Sequence, residues 1–184
     1  MSTTSAPFGL RPAYSPSGCV RPGPLASIVS AYNVDIFQGS PVDVVAAGNI
    51  EASAPNDRIM GAFQGVEYDD AEGVHRVRNR WLANTVATNI RAYYTTDQSL
   101  VYEIQANATL TIAAIGQQYD WTALAGNATT GLSSVALNVA SAAANAGLRV
   151  IGLNPGSDND WGDAFPIVLV QVSEHQLTAD VASV

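Results

Sequence analysis

The stretch Pro166-Ile-Val-Leu-Val-Gln-Val172 carries apolar side chains at odd and even positions alike until Gln171. A short β-branched run of this kind, opened by a proline, reads as a strand buried on both faces. It is expected to lie at the centre of the core. Leu148 to Leu153 is a second strand-like run, divided from the first by Asn154-Pro-Gly-Ser-Asp-Asn159, which is a turn by composition. Further upstream, Leu100, Tyr102 and Ile104 alternate with Glu103 and Gln105, and Asn89 to Thr96 makes another strand across Thr96-Asp-Gln-Ser99. Ile59 to Val66 alternates with glycines that imply a bent strand, and runs into the acidic loop Tyr68 to Gly73. Tyr32 to Ile36 and Val42 to Val45 read as two short strands about a turn at Gln38 to Pro41, and Leu110 to Ala113 continues the alternation. Ser133 to Gly147 is open to two readings, a strand through Val135, Leu137 and Val139 or a helical turn in the alanine-rich Ser141 to Ala146. Many strands at close spacing with almost no helix predict an all-β fold, a single barrel or sandwich of short antiparallel strands over residues 25–184.

Residues 1–24 hold Pro7, Pro12, Pro16, Pro22 and Pro24 with Gly9, Gly18 and Gly23, a density that opposes both helices and sheet ladders. An extended arm is expected. Phe8, Leu10, Tyr14 and Val20 are more apolar than a solvated linker would be, so the arm docks, on its own domain or on a neighbouring subunit.

The chain has 184 residues, 47% of them hydrophobic and only 13% charged, so it has the material for one core and an unusually uncharged surface. Sixteen acidic against eight basic residues give a net charge of −8, and no Lys is present. Nucleic acid is therefore not an expected partner, since phosphate binding needs clustered cations. No apolar run reaches the ~20 residues of a membrane helix, and the first residues lack the pattern of a signal peptide, so synthesis and maturation in a cytoplasm are expected. The lone Cys19 allows neither an internal disulfide nor a Cys-based zinc site.

Catalytic patterns are weak. Without Lys there is no Walker A loop, and Gly131-Leu-Ser-Ser-Val135 lacks the second glycine of a nucleophile elbow. His75 and His175 have no metal-ligand spacing. Asp158-Asn-Asp-Trp-Gly-Asp163 places carboxylates at loop positions that can converge on Ca²⁺, or can serve glycoside hydrolysis, but it departs from the EF-hand pattern, and a solvated turn anchored by Trp161 is favoured. No catalytic residue, metal or cofactor is expected. Trp81, Trp121 and Trp161 suit either packing or a sugar platform, which keeps a carbohydrate-binding module, a surface lectin, as the alternative. Arg76, Arg78 and Arg80 alternate, so that on one strand all three would share a face, either solvated or turned to an acidic partner.

Several of these segments resemble one family, the capsid decoration or cement proteins of tailed bacteriophages. Phe8-Gly-Leu-Arg-Pro12 is similar to an opening common in that group, Val101-Tyr-Glu-Ile-Gln105 to its central strand, and Arg149 to Leu153, Trp161 and Val168 to Leu177 to its C-terminal pattern. The resemblance implies a non-enzymatic virion protein, made in the host cytoplasm, that binds the outer surface of the expanded capsid and clamps neighbouring major capsid protein subunits. It also implies self-association, with a homotrimer favoured over a dimer. Phe8, Leu10, Arg11 and Pro12 are the expected arm contacts, with Arg76, Arg78 and Arg80 as a second partner-binding set. The alanine-rich segment and the lack of Lys depart from the family pattern.

Overall fold

A computed structural model describes residues 2–16, 18 and 26–178. Cys19, Arg21 and the expected end of the arm at residue 24 lie outside the described residues. The fold is all-β, as the alternation requires. In chain order the strands are β1 (Arg11–Tyr14), β2 (Ile36–Phe37), β3 (Pro41–Val44), β4 (Ile50–Ala52), β5 (Gly61–Asp70), β6 (His75–Arg78) and β7 (Arg80–Trp81). They continue as β8 (Ala87–Tyr94), β9 (Val101–Gln105), β10 (Gln118–Tyr119), β11 (Gly126–Asn127), β12 (Leu132–Ser133), β13 (Leu148–Leu153) and β14 (Ile167–Val172). Two five-stranded antiparallel sheets carry the molecule. One runs β1-β9-β14-β13-β10; the other runs β4-β3-β5-β6, with β8 on β5. Among the described residues both are open, with edge strands, which is consistent with a sandwich rather than a closed barrel.

β14 lies at the middle of the first sheet, between β9 and β13, with Val168 and Val170 fully buried. Tyr102, Ile104, Leu148, Val150, Trp121 and Leu137 complete that core. The second sheet has its own core of Ile36, Val42, Ile50, Phe63, Val66 and Trp81. The chain passes between them at the start of β5: Ile59 and Ala62 belong to the first cluster, Met60 and Phe63 to the second. The bend expected from the glycines is present as a register shift between Phe63 and Gly65 against β8. A Cβ on Gly61 would lie 2.0 Å from the Thr95 carbonyl oxygen, so that crossing requires glycine.

Some expectations need correction. Proline did not keep the N-terminal segment out of a ladder: Pro12 pairs with Tyr102 inside β1, tolerated because β1 is an edge strand and one backbone face needs no donor. Tyr32 to Val34 does not form a strand, and only Ile36 and Phe37 do. Leu110 to Ala113 does not continue the alternation as a strand; Ile112–Ala114 closes a 3₁₀ turn. The acidic segment begins as strand, since β5 extends through Asp70. Between Ser133 and Gly147 neither reading holds throughout: Leu132–Ser133 pairs briefly, Leu137 makes isolated bridges to Ala106 and Trp121, and Val139–Ser141 is one 3₁₀ turn.

Candidate partner-binding surface

The segment Phe8 to Pro12 is held by its glycine. Gly9 has φ +77° and its N–H donates to the Val135 carbonyl at 3.0 Å, while the Leu10 N–H donates to the Gly39 carbonyl at 2.8 Å. A Cβ on Gly9 would stand 2.4 Å from the Gly39 oxygen and 2.8 Å from the Ser133 Cβ, so the approach of the two chains demands glycine. Leu10 is thereby driven into the first core, where it is 0% exposed. As a contact for another molecule Leu10 must be withdrawn: the segment docks on its own domain, and this side chain is the anchor that docks it. Arg11 follows on the outside. Its Nε is bonded and ion-paired to Glu103 across the β1–β9 pair, and its guanidinium lies 4.3 Å from the Phe8 ring centroid. Glu103 also accepts from Asn154 at 2.6 Å, tying β1 to the turn after β13.

Phe8, Leu10, Arg11 and Pro12 together line a groove of about 180 Å³ with Gln38, Gly39, Gln64 and Leu132. Leu132 is a large apolar side chain left exposed at its rim. Among the described residues no strand pairs with the outer edge of β1. Gln38, Gln64 and Leu132 were not legible as site residues, because nothing in their local spacing marks a groove that three distant segments assemble.

The residues preceding Phe8 are also fastened down. Gln105 accepts from the Ala6 N–H at 2.7 Å and donates to the Thr4 carbonyl at 3.0 Å. Ser2 N–H donates to Asp163 Oδ2 at 2.7 Å.

The three alternating arginines are divided between two strands. Arg76 and Arg78 face β5 partners Tyr68 and Val66, whereas Arg80 belongs to β7 and pairs with Phe37 of β2. Asn79 breaks the ladder, its amide donating to the Thr130 carbonyl at 2.9 Å. Arg76 is engaged: its Nε donates to Asp70 Oδ2 at 2.7 Å, which holds the Asp70 carboxyl below the usual range. The guanidinium groups of Arg78 and Arg80 have no ion-pair or hydrogen-bond partner among the described residues.

The carboxylates of the 158–163 loop do not converge. Asp163 is buried and accepts from the backbone N–H groups of Ser2 and Asp160, hydrogen bonds that keep it ionised. Of the three, only Asp158 lines the adjoining cavity of about 400 Å³. Among the described residues no group of three or more His, Cys, Asp or Glu side chains is placed to hold a metal. His75 binds Asp69 on the exposed face of β6 at 2.9 Å. His175 is buried, its Nδ1 accepting from the Leu177 N–H at 3.1 Å, and burial pushes its pKa down. Trp81 and Trp121 are core residues with no face to offer a sugar, and Trp161 packs against the first core.

No family model matches the chain, and neither the curated proteins nor the solved structures give a match.

Proposed function

We propose that this chain is a non-enzymatic structural protein of a phage virion, attached to the outer surface of the expanded capsid, where it stabilises contacts between major capsid protein subunits. The observation that carries the reading is that Phe8-Gly-Leu-Arg-Pro12, one of the stretches similar to the decoration proteins, is also the stretch that lines the apolar groove beside the free edge of β1. A shallow apolar groove next to an unpaired strand edge suits an extended segment of another chain, which adds main-chain hydrogen bonds and seats one side chain. Phe8, Arg11, Pro12 and Leu132 are the residues available for that contact, with Leu10 holding them in place from the core. Binding only the assembled shell, such a protein stabilises it by mass action, and many copies on one shell add up.

The test is co-sedimentation of the purified protein with expanded capsids that lack it, with unexpanded procapsids as control. Saturable binding to the expanded shell alone is expected, weakened about tenfold or more by Leu132→Glu, which puts a charge at the groove. Deleting residues 1–24 is not a clean test, because it removes β1 and Leu10 from the core. Absence of binding to either shell overturns the reading.

A further inference from the structure

After β14 the chain leaves the first sheet and crosses to the second. Ser173 keeps the start of the crossing on the first sheet, its N–H donating to the Gly147 carbonyl at 3.0 Å and its hydroxyl to the Ala146 carbonyl. The Glu174 carbonyl then accepts from the Ile59 N–H at 3.1 Å, and the Gln176 N–H donates to the Ile59 carbonyl at 3.0 Å, a parallel bridge that sets His175 beside Ile59. Beyond it the Gln176 side chain clips onto β3: Oε1 accepts from the Val44 N–H at 2.8 Å and Nε2 donates to the Val44 carbonyl at 3.1 Å. The amide thus stands in for one more ladder partner. The large apolar side chain of this segment, Leu177, is 62% exposed. Hydrogen bonds rather than apolar burial hold the segment down, which is the composition of a unit that opens without global unfolding.

His175 sits at the middle of the crossing and is 1% exposed. Its Nδ1 accepts from the Leu177 N–H at 3.1 Å, which fixes the neutral tautomer with its proton on Nε2. That Nε2 is buried and makes no well-formed hydrogen bond among the described residues. A proton added at Nδ1 would set donor against donor at Leu177 and place a charge in the interior. The charged groups on the elements around the ring are Asp43 of β3, Asp57 and Arg58 ahead of Ile59, Asp97 between β8 and β9, and Glu174 beside it. Of these, Asp97 acts on the ring; together with the Met60 carbonyl it favours the charged form, but burial outweighs both. Asp97 is also committed elsewhere, accepting from Ser15 Oγ at 2.7 Å and from the Ser99 N–H and hydroxyl at 2.9 and 2.7 Å.

We infer that Ser173 to Thr178 is a proton-released strap, which fastens the first sheet to β3 while the His175 ring is neutral and detaches when that ring takes up a proton. Detachment gives the ring to water and frees the N–H and C=O groups of Ile59 and Val44 that the strap had covered. A released imidazole titrates near its ordinary value of about 6.5, whereas the closed strap keeps the ring neutral to lower pH. The closed form is therefore fully favoured above that value and loses ground below it, so that the open fraction rises about tenfold between pH 7.5 and pH 5.5. Nothing in this device involves a capsid, and its test is separate from that of shell binding.

The experiment is hydrogen exchange read by mass spectrometry on the full chain at pH 7.5 and 5.5, with rates corrected for the intrinsic pH dependence of exchange. Peptides containing Val44, Gln176 and Leu177 are expected to be less protected than β14 at both pH values, and to lose about tenfold in protection on acidification. The β11–β12 hairpin, which opens locally without moving His175, should not change. In His175→Asn an amide oxygen still accepts from the Leu177 N–H but takes up no proton, so the strap should stop responding to pH; His75 is left in place as the internal control. Gln176→Ala removes the clip on Val44 and should speed exchange of the strap at both pH values while leaving the ratio between them. A strap as well protected as β14 overturns the inference, because it then opens only with the whole fold. So does protection that is the same at both pH values, or a pH response that persists in His175→Asn. Should that variant fail to fold, the wild-type comparison and Gln176→Ala still decide.

Discussion

Replacing Gly9 with alanine isolates what holds the Phe8 to Pro12 segment in place. The added Cβ meets the Gly39 carbonyl oxygen at 2.4 Å, the Gly39 carbon at 2.8 Å and the Ser133 Cβ at 2.8 Å, and two of these are backbone atoms that no rotamer change removes. The left-handed backbone costs an L-residue about 1–2 kcal/mol. Forcing the two chains apart adds about 1–3 kcal/mol of overpacking, and the bonds from Gly9 and Leu10 lengthen with it. The total is a loss of about 2–5 kcal/mol, or a fall in Tm of roughly 5–20 °C for a chain of this length. Gly73→Ala is a matched control, because Gly73 has the same φ of +77° but nothing within 4 Å of its Cβ position. It carries only the backbone cost. Urea denaturation of the two variants beside wild type, at a concentration and salt where the protein is monomeric, measures both. Equal losses would show that close approach to Gly39 contributes nothing, and would refute the account of the segment as an anchored part of the fold.

Tyr102→Phe removes the hydroxyl bonded to Thr95 Oγ1 at 2.6 Å in the core and should cost about 1–2 kcal/mol, read by the same denaturation; an unchanged midpoint would count against that bond. Burial depresses the His175 pKa in the folded state, so below about 6.5 the unfolded chain takes up a proton that the native ring does not, and stability should fall as pH drops through that value. In His175→Asn, where an amide oxygen can still accept from the Leu177 N–H, this part of the pH profile should flatten; a profile identical to wild type would exclude His175 as its source. The raised pKa of Asp43 means that its ionised form is penalised in the native state, so Asp43→Asn should stabilise the monomer at neutral pH. That gain should shrink as the pH falls through the native pKa of Asp43 and vanish below its unfolded value. A gain independent of pH would refute the electrostatic cause.

Two strands of the first sheet were legible because short apolar runs leave a local mark, although in β14 only the face carrying Val168 and Val170 is fully buried and Ile167 and Leu169 on the other face are half-buried. Ile167 to Val172 and Leu148 to Leu153 are apolar runs bounded by turn residues, and the structure has both as paired strands. The bend of β5 was legible in Gly61 and Gly65 for a similar reason, since a missing side chain is visible in the sequence. Leu110 to Ala113 was misread because two alternations of apolar and polar residues fit a strand and a 3₁₀ turn equally well, and the longer-range contacts that decide between them have no local trace. Trp81 and Trp121 were equally compatible with a core or a platform; only the packing of both sheets removes them from solvent.

Sequence alone determined that the protein is built of strands, that its surface is poor in charge, and that Phe8 to Pro12 is a distinctive segment. It could not determine which side of that segment faces inward. Leu10 is buried, and Phe8, Arg11 and Pro12 are left to line a groove, because Gly39 and Ser133 arrive beside Gly9 from far along the chain. Likewise Asp43 and Glu51 become an opposed pair only through the register of β3 on β4, and Arg76 meets Asp70 only through the register of β6 on β5. Alternation is a local property and survives in one dimension, whereas register and proximity are relations between distant segments that exist only once the chain has folded.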